Sequence, residues 1–173
     1  MKFCYLNKAE KDRWLPQLFA LFYDNMHDLA PISGTFQQEQ DSWIAEIFPA
    51  LDKAPRQIIL CFADGKLAGY IQYYIRGSML MVEELQVRKE YHRTCLFYRF
   101  CKYLLSVLPR DLQTIEAYAH KGNGHSIRMM QRLGMQICEE NAPFVHLRGP
   151  AEAVYRYFRC STGAPRVAIF PGV

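Results

Sequence analysis

The stretch QIILCFADGKLAGYIQYYIRGSMLMVEELQV, residues 57–87, decides the fold class. Ile58 to Phe62 is a short apolar run of β formers. Asp64-Gly65 follows, a dipeptide that tolerates the positive φ of a tight hairpin turn. Leu67 to Ile75 reads as a second strand, Arg76-Gly77-Ser78 turns the chain again, and Met79 to Val87 reads as a third. The segment therefore predicts an antiparallel meander.

Upstream of it, Asn7 and Glu10 resemble a helix-start capping box. Lys8 to about Asp28 carries helical periodicity through Trp14, Leu18, Leu21, Phe22 and Met26, and Pro16 is expected either to kink that helix or to mark its true start. Pro31, Ser33 and Gly34 predict a loop. A second amphipathic helix is expected from about Gln37 to Leu51, with Trp43, Ile44, Ile47 and Phe48 on one face.

Downstream, Phe97, Phe100, Cys101, Leu104, Leu105 and Leu108 fall at helical spacing, so a helix is expected from about Arg93 to Leu108, stopped by Pro109. Thr114 to Ala119 reads as a strand. Asn123 caps a short helix running to Leu133, with Gly134 just past its end. Met135 to about Glu139 and Ala153 to Cys160 are the last two strands expected. Helices and strands interleaved in this way predict an α/β (α+β) chain, and its 173 residues predict one domain over 1–173.

The net charge of +4 is spread along the chain without a basic run, which suits an anionic ligand and argues against a nucleic-acid partner. Six cysteines without CxxC spacing, and five histidines that do not cluster, predict reduced thiols and no metal. No apolar stretch is long enough to span a membrane, and the N-terminus lacks the apolar core of a leader. A cytoplasmic location is expected.

Two motifs carry a resemblance. Glu83-Glu84-Leu85-Gln86-Val87-Arg88-Lys89-Glu90-Tyr91 resembles the central strand and exit loop of the GNAT superfamily of acyl-CoA-dependent N-acetyltransferases. Asn123-Gly124-His125-Ser126-Ile127-Arg128-Met129-Met130-Gln131-Arg132-Leu133-Gly134-Met135 is similar to that superfamily's late motif. The element order matches over nearly the whole chain. The resemblance implies a mixed, mainly antiparallel sheet flanked by helices, with two splayed central strands and acetyl-CoA as co-substrate. It places pantetheine against backbone near Leu85, Gln86 and Val87. It places pyrophosphate on the loop His92, Arg93, Thr94, Cys95, Leu96 and Phe97, where free amides and a helix end favour anions. Arg88, Lys89, Arg99 and Lys102 lie nearby, either as charge for the phosphates or as the ordinary wet side of the helix, the second being the reading for Arg99. Asn123 bonds the pantetheine arm or simply caps its helix.

Two departures stand out. The superfamily keeps small residues where this chain has Cys95 and Phe97, so Phe97 must turn into the core or the loop binds phosphate poorly. Met130 occupies the position of a usual Tyr, and a thioether cannot donate a proton.

Of the acidic pair, a carboxylate can act as general base for an attacking amine. Because adjacent strand residues alternate, at most one of Glu83 and Glu84 is expected to face the cleft; the alternative role is a solvated acid or an ion pair with Arg88. Glu116, Tyr118 and His120 alternate with Ile115, Ala117 and Ala119, which predicts a polar, solvent-facing sheet side. Ser33 to Phe36 is expected near the acceptor. The reading is an N-acetyltransferase acting by direct attack of a small-molecule or peptide amine, as monomer or homodimer. The alternatives are a GNAT-fold acyl-CoA or ligand-binding protein without turnover and, resting on net charge alone, a nucleic-acid module.

Overall fold

The computed structural model describes residues 1–29, 34–53 and 56–158. The meander forms as expected: β2 (Gln57–Ala63), β3 (Lys66–Arg76) and β4 (Met79–Val87) pair antiparallel in succession. Asp64 and Gly65 take φ of 51° and 76°, the left-handed pair that a two-residue hairpin demands. Four more strands extend the sheet: β1 (Lys2–Tyr5), β5 (Thr114–His120), β6 (Gln136–Asn141) and β7 (Phe144–Pro150). Their order is β1-β2-β3-β4-β5-β7-β6. Among the described strands only β4 and β5 run parallel, so a crossover must join them. Helix α3 (Leu96–Val107) provides it.

The two faces of the sheet are covered differently. Helices α1 (Lys11–Met26) and α2 (Phe36–Lys53) seal Ile58, Leu60, Leu67 and Tyr70 beneath Leu15, Leu18, Leu21 and Ile47. On the other face α3 and α5 (Ala151–Tyr157) bury Ile59, Ile71, Leu80 and Ile115 with Phe100, Leu104, Val154 and Phe158. Helix α4 (Gly124–Arg132) is capped by Asn123, whose Oδ1 accepts from the Ser126 amide, and Gly134 follows at φ 89°.

Several elements differ from expectation. Pro16 neither starts nor interrupts α1; it lies inside the helix, as Pro49 lies inside α2. Helix α3 begins at Leu96 rather than Arg93, because Thr94 is held in a turn: its amide and hydroxyl both donate to the Tyr91 carbonyl, and the hydroxyl accepts from Leu96. The expected strand at 153–160 is a helix through Tyr157. Ala151, Val154, Tyr155 and Phe158 are its buried residues, at i, i+3, i+4 and i+7, the spacing of a helical stripe. The last strand among the described residues is β7, where Val145, Leu147 and Gly149 alternate inward. Strand β1 is an addition. Pro31, Ser33 and Cys160 lie outside the described residues. The other five cysteines are free thiols.

Candidate active site where the central strands part

Strands β4 and β5 pair from Met79 with Thr114 to Val82 with Ala117, and no further. Beyond that point Glu83–Val87 and Tyr118–His120 diverge, each still bonded to its outer neighbour. The Arg88 amide donates to the Ala68 carbonyl on the β3 side. The alternation of an antiparallel ladder then turns the backbone groups of Leu85 and Val87 the other way, into the gap. The Val87 carbonyl is already occupied, accepting from Asn25 Nδ2 at 2.9 Å and from His92 Nε2 at 2.8 Å. The Leu85 amide and carbonyl and the Val87 amide are left for a ligand. Gln86 faces the opposite way; its side chain accepts from Asn25 of α1.

The acidic pair sits at the mouth of this gap. Gln72 pairs with Glu84 and Tyr73 with Val82, so Glu83 is an extra residue, a β-bulge. The bulge resets the alternation. Leu80 and Val82 before it, and Leu85 and Val87 after it, all face α3. Glu83 and Glu84 consequently share the α1/α2 face, against the expectation that only one could. Glu83 accepts two hydrogen bonds from Arg56 and one from Gln72 Nε2 at 3.0 Å; its ion-pair partner is Arg56, not Arg88. Glu84 accepts from the Tyr70 hydroxyl and from Trp43 Nε1 at 3.2 Å.

Burial pushes the Glu84 carboxyl above the ordinary range, further than the Tyr70 and Trp43 hydrogen bonds pull it down; the nearby Glu83 and Glu46 charges add to the rise. Arg56 is held charged chiefly by its hydrogen bond to Glu83. Each Glu84 oxygen receives one donor and keeps a free lone pair, so an ionised Glu84 can accept a proton.

Both carboxylates line a cavity of about 210 Å³ with Glu46, Gln72, Arg56 and Trp43. The Gln72 Oε1 is buried without a hydrogen-bond partner among the described residues. Phe22, Trp43 and Glu46 are shared with a second cavity of about 300 Å³, walled by Phe19, Tyr23 and Glu39 between α1 and α2. Phe36, expected near the acceptor, stacks edge-on against Phe19 and Tyr23 here. Carboxylates and aromatic faces together favour a cation.

On the other side of the gap, the amides of Arg93, Cys95, Phe97 and Tyr98 make no hydrogen bond among the described residues. This run at the start of α3 can hold an anion. Neither departure in the loop obstructs it. Cys95 adopts φ −78° and ψ 10°, a conformation open to any L residue. Phe97 turns toward the core against Phe158, ring centroids 6.4 Å apart. Leu96 is fully buried, His92 is spent on Val87, Thr94 on the turn, and the Arg93 side chain is exposed. Met130 packs against the α3-side core.

The sequence profile of the acetyltransferase (GNAT) family matches residues 15–135, which contain the gap, both carboxylates and the amide run. The chain belongs to the GNAT acetyltransferase family. It is thus placed among acyltransferases. Solved GNAT structures share its fold at low identity. The PaiA N-acetyltransferase from Thermoplasma acidophilum, in complex with coenzyme A, superposes with a TM-score of 0.67 at 12% identity, over 87% of this chain and 99% of that one. An acetyltransferase from Thermus thermophilus gives 0.68 at 13% identity, over 87% and 97%. The ribosomal-protein-S18-alanine N-acetyltransferase from Escherichia coli gives 0.59 at 13%, over 86% and 92%. A search of curated protein sequences finds no match.

The sequence located Glu83 and Glu84 but missed their neighbours. Arg56, Trp43, Tyr70 and Gln72 come from other parts of the chain, and nothing local ties them to the pair. Of the polar residues of β5, Tyr118 is exposed as expected and His120 is half-buried, while Glu116 departs from the expected solvent-facing side. Glu116 is buried, held by His146 Nε2 at 2.9 Å and Arg148 Nε at 2.6 Å.

Proposed function

We propose that this GNAT protein transfers an acetyl group from acetyl-CoA to a positively charged primary amine, by direct attack, with Glu84 as general base. The observation that carries this reading is the acidic pair on one face of the sheet, at the point where β4 leaves β5.

Acetyl-CoA fits the gap on two counts. The Leu85 backbone and the Val87 amide are free to pair with the pantetheine amides, and the unspent amides at the start of α3 suit the pyrophosphate. Asn123 is already engaged as the cap of α4; its amide nitrogen is available to the same arm.

The acceptor enters from the α1/α2 side. Glu46, Glu83 and Glu84 against Arg56 leave the inner cavity anionic, and Glu39 extends that character outward. An ammonium there is attracted, and Gln72 Oε1 gives it a buried acceptor. Glu84 removes one proton from the ammonium. The freed nitrogen lone pair attacks the thioester carbonyl, the C–S bond breaks to release CoA thiolate, and the nitrogen gives its surplus proton to water as the amide forms. Water protonates that thiolate, because Met130 has no proton to give. A Glu84 carboxyl above the ordinary range is a stronger base at neutral pH than a solvated one. Glu83, locked by Arg56, orients the pair.

Calorimetric titration with CoA and acetyl-CoA tests the donor half. Saturable micromolar binding with released heat is the expected result. No binding at millimolar ligand would remove the donor and leave the fold as a scaffold for another ligand.

A further inference from the structure

Away from the gap, three residues distant in sequence meet on β5, β6 and β7. Cys138 is the extra residue of another bulge, opposite neither of the β7 residues that Ile137 and Glu139 face. A bulge re-aims its side chain, and here it brings Cys138 Sγ within 3.3 Å of His146 Nδ1. His146 Nε2 lies 2.9 Å from Glu116 Oε2. With Nε2 donating to the carboxylate, Nδ1 is left facing the thiol, which also reaches the His146 carbonyl at 3.4 Å; Glu139 Oε2 lies 4.0 Å from the same Nδ1. The Tyr118 ring stacks on the imidazole at 4.5 Å between centroids, which fixes its plane. The His146 and Glu116 side chains are nearly buried, at 11% and 8% exposure, while Cys138 is exposed. This is a thiol, a base and a carboxylate orienting the base, the arrangement that activates nucleophilic sulfur.

We propose that Cys138 is a covalent modification site that undergoes thiol–disulfide exchange with small anionic disulfides, with His146 as its proton acceptor. The acetyl-transfer reading makes no use of these residues, and the two stand or fall separately. Exchange is a displacement at sulfur, which needs an accessible thiol and a proton acceptor but nothing to hold a tetrahedral oxyanion. Cys138 S–H gives its proton to His146 Nδ1 as the sulfur attacks one sulfur of the disulfide. The S–S bond breaks, a new S–S bond forms, and the departing thiolate leaves as such or takes the proton from the imidazolium. Arg148 is the cation that meets an anionic reagent here, and Glu139 opposes it. Its guanidinium, held charged mainly by Glu116, also feels the Cys138 sulfur and is half-exposed.

The chain carries its own controls. Cys95 is also exposed, with no histidine bonded to it among the described residues; its place in the amide run at the start of α3, which itself attracts anions, makes it a demanding control. Cys61 and Cys101 are buried, their thiols pushed up to about 11 and about 12 by desolvation.

The test uses the reduced full chain carrying Cys160→Ser and the anionic disulfide 5,5′-dithiobis(2-nitrobenzoate). Release of thionitrobenzoate is followed by stopped flow, and the first adduct is mapped by mass spectrometry. Cys138 is expected to react first, roughly tenfold or more faster than Cys95, and His146→Ala to bring it down to the Cys95 rate. Equal rates for the two thiols, or an unchanged rate in His146→Ala, would overturn the proposal. Should His146→Ala not fold, the chain with Cys95→Ser added is compared with itself in urea at the same pH. Folding is expected to accelerate Cys138; a slower folded-state reaction counts against the proposal.

Discussion

Glu83 and Glu84 are neighbours in sequence and lie on the same face of the sheet. A regular strand forbids this. The bulge opposite Gln72 and Tyr73 permits it, and it also ends the regular part of β4 where β5 departs. One irregularity thus opens the gap and aims two carboxylates at its mouth.

Glu84→Gln keeps the shape and the acceptor oxygen but cannot take a proton. kcat/KM for acetyl transfer is expected to fall by roughly 10²–10⁴. Steady-state kinetics with thiol detection checks it. A loss under threefold would assign the proton transfer elsewhere.

The pH profile carries a sign. Activity needs the ionised form, so it is present above the Glu84 pKa and lost as pH falls through it. Because burial raises that value, the acid limb should lie above the ordinary Glu range of about 4.3. The same shift opposes folding of the ionised form. Stability present below the unfolded-state value is lost as pH rises through the folded-state one, and Glu84→Gln should flatten that loss in denaturant titrations.

Arg56→Met removes both hydrogen bonds to Glu83 and leaves a largely buried carboxylate unmatched. A stability loss of about 1–3 kcal/mol is expected, with a lower KM for a cationic acceptor because the pocket becomes more negative. Urea denaturation and acceptor titration measure the two effects independently.

Restoring glycine in the loop should not improve donor binding. Cys95 needs no special backbone conformation, so Cys95→Gly only adds flexibility to the unbound loop. Phe97→Gly also strips a ring from the core beside Phe158, at a cost of about 1–3 kcal/mol. CoA affinity equal to or weaker than that of the unaltered chain is expected in calorimetry; a gain would show that the native loop obstructs phosphate.

Gly134→Ala should destabilise. The residue sits at φ 89°, and an added Cβ would lie 2.9 Å from the Ala153 Cβ. A loss of about 1–3 kcal/mol is expected from strain and crowding together, read as a lower Tm.

The meander was legible because Asp64-Gly65 and Gly77 punctuate it, and α4 because Asn123 and Gly134 bracket it. The last strand was not. Val154, Tyr155, Tyr157 and Phe158 are β formers by type, and only their spacing reveals α5, while Pro143 and Pro150 disguise β7. The acidic pair was found by type and position, but its orientation depended on a bulge that no local pattern encodes. Glu116, Cys138 and His146 meet only through the β5–β7–β6 register, which a chain read in order does not reveal.

If the anionic groove delivers a cationic amine to acetyl-CoA, the charge of the acceptor sets the rate. The direct measurement is turnover of acetyl-CoA against paired acceptors of similar size, a primary diamine and the amino alcohol that lacks its second charge, with mass detection of the product. The account predicts N-acetylated diamine, kcat/KM at least roughly tenfold above the amino alcohol, and loss of product with Glu84→Gln. Acetylation of both acceptors at equal rates, or of neither despite CoA binding, would contradict it.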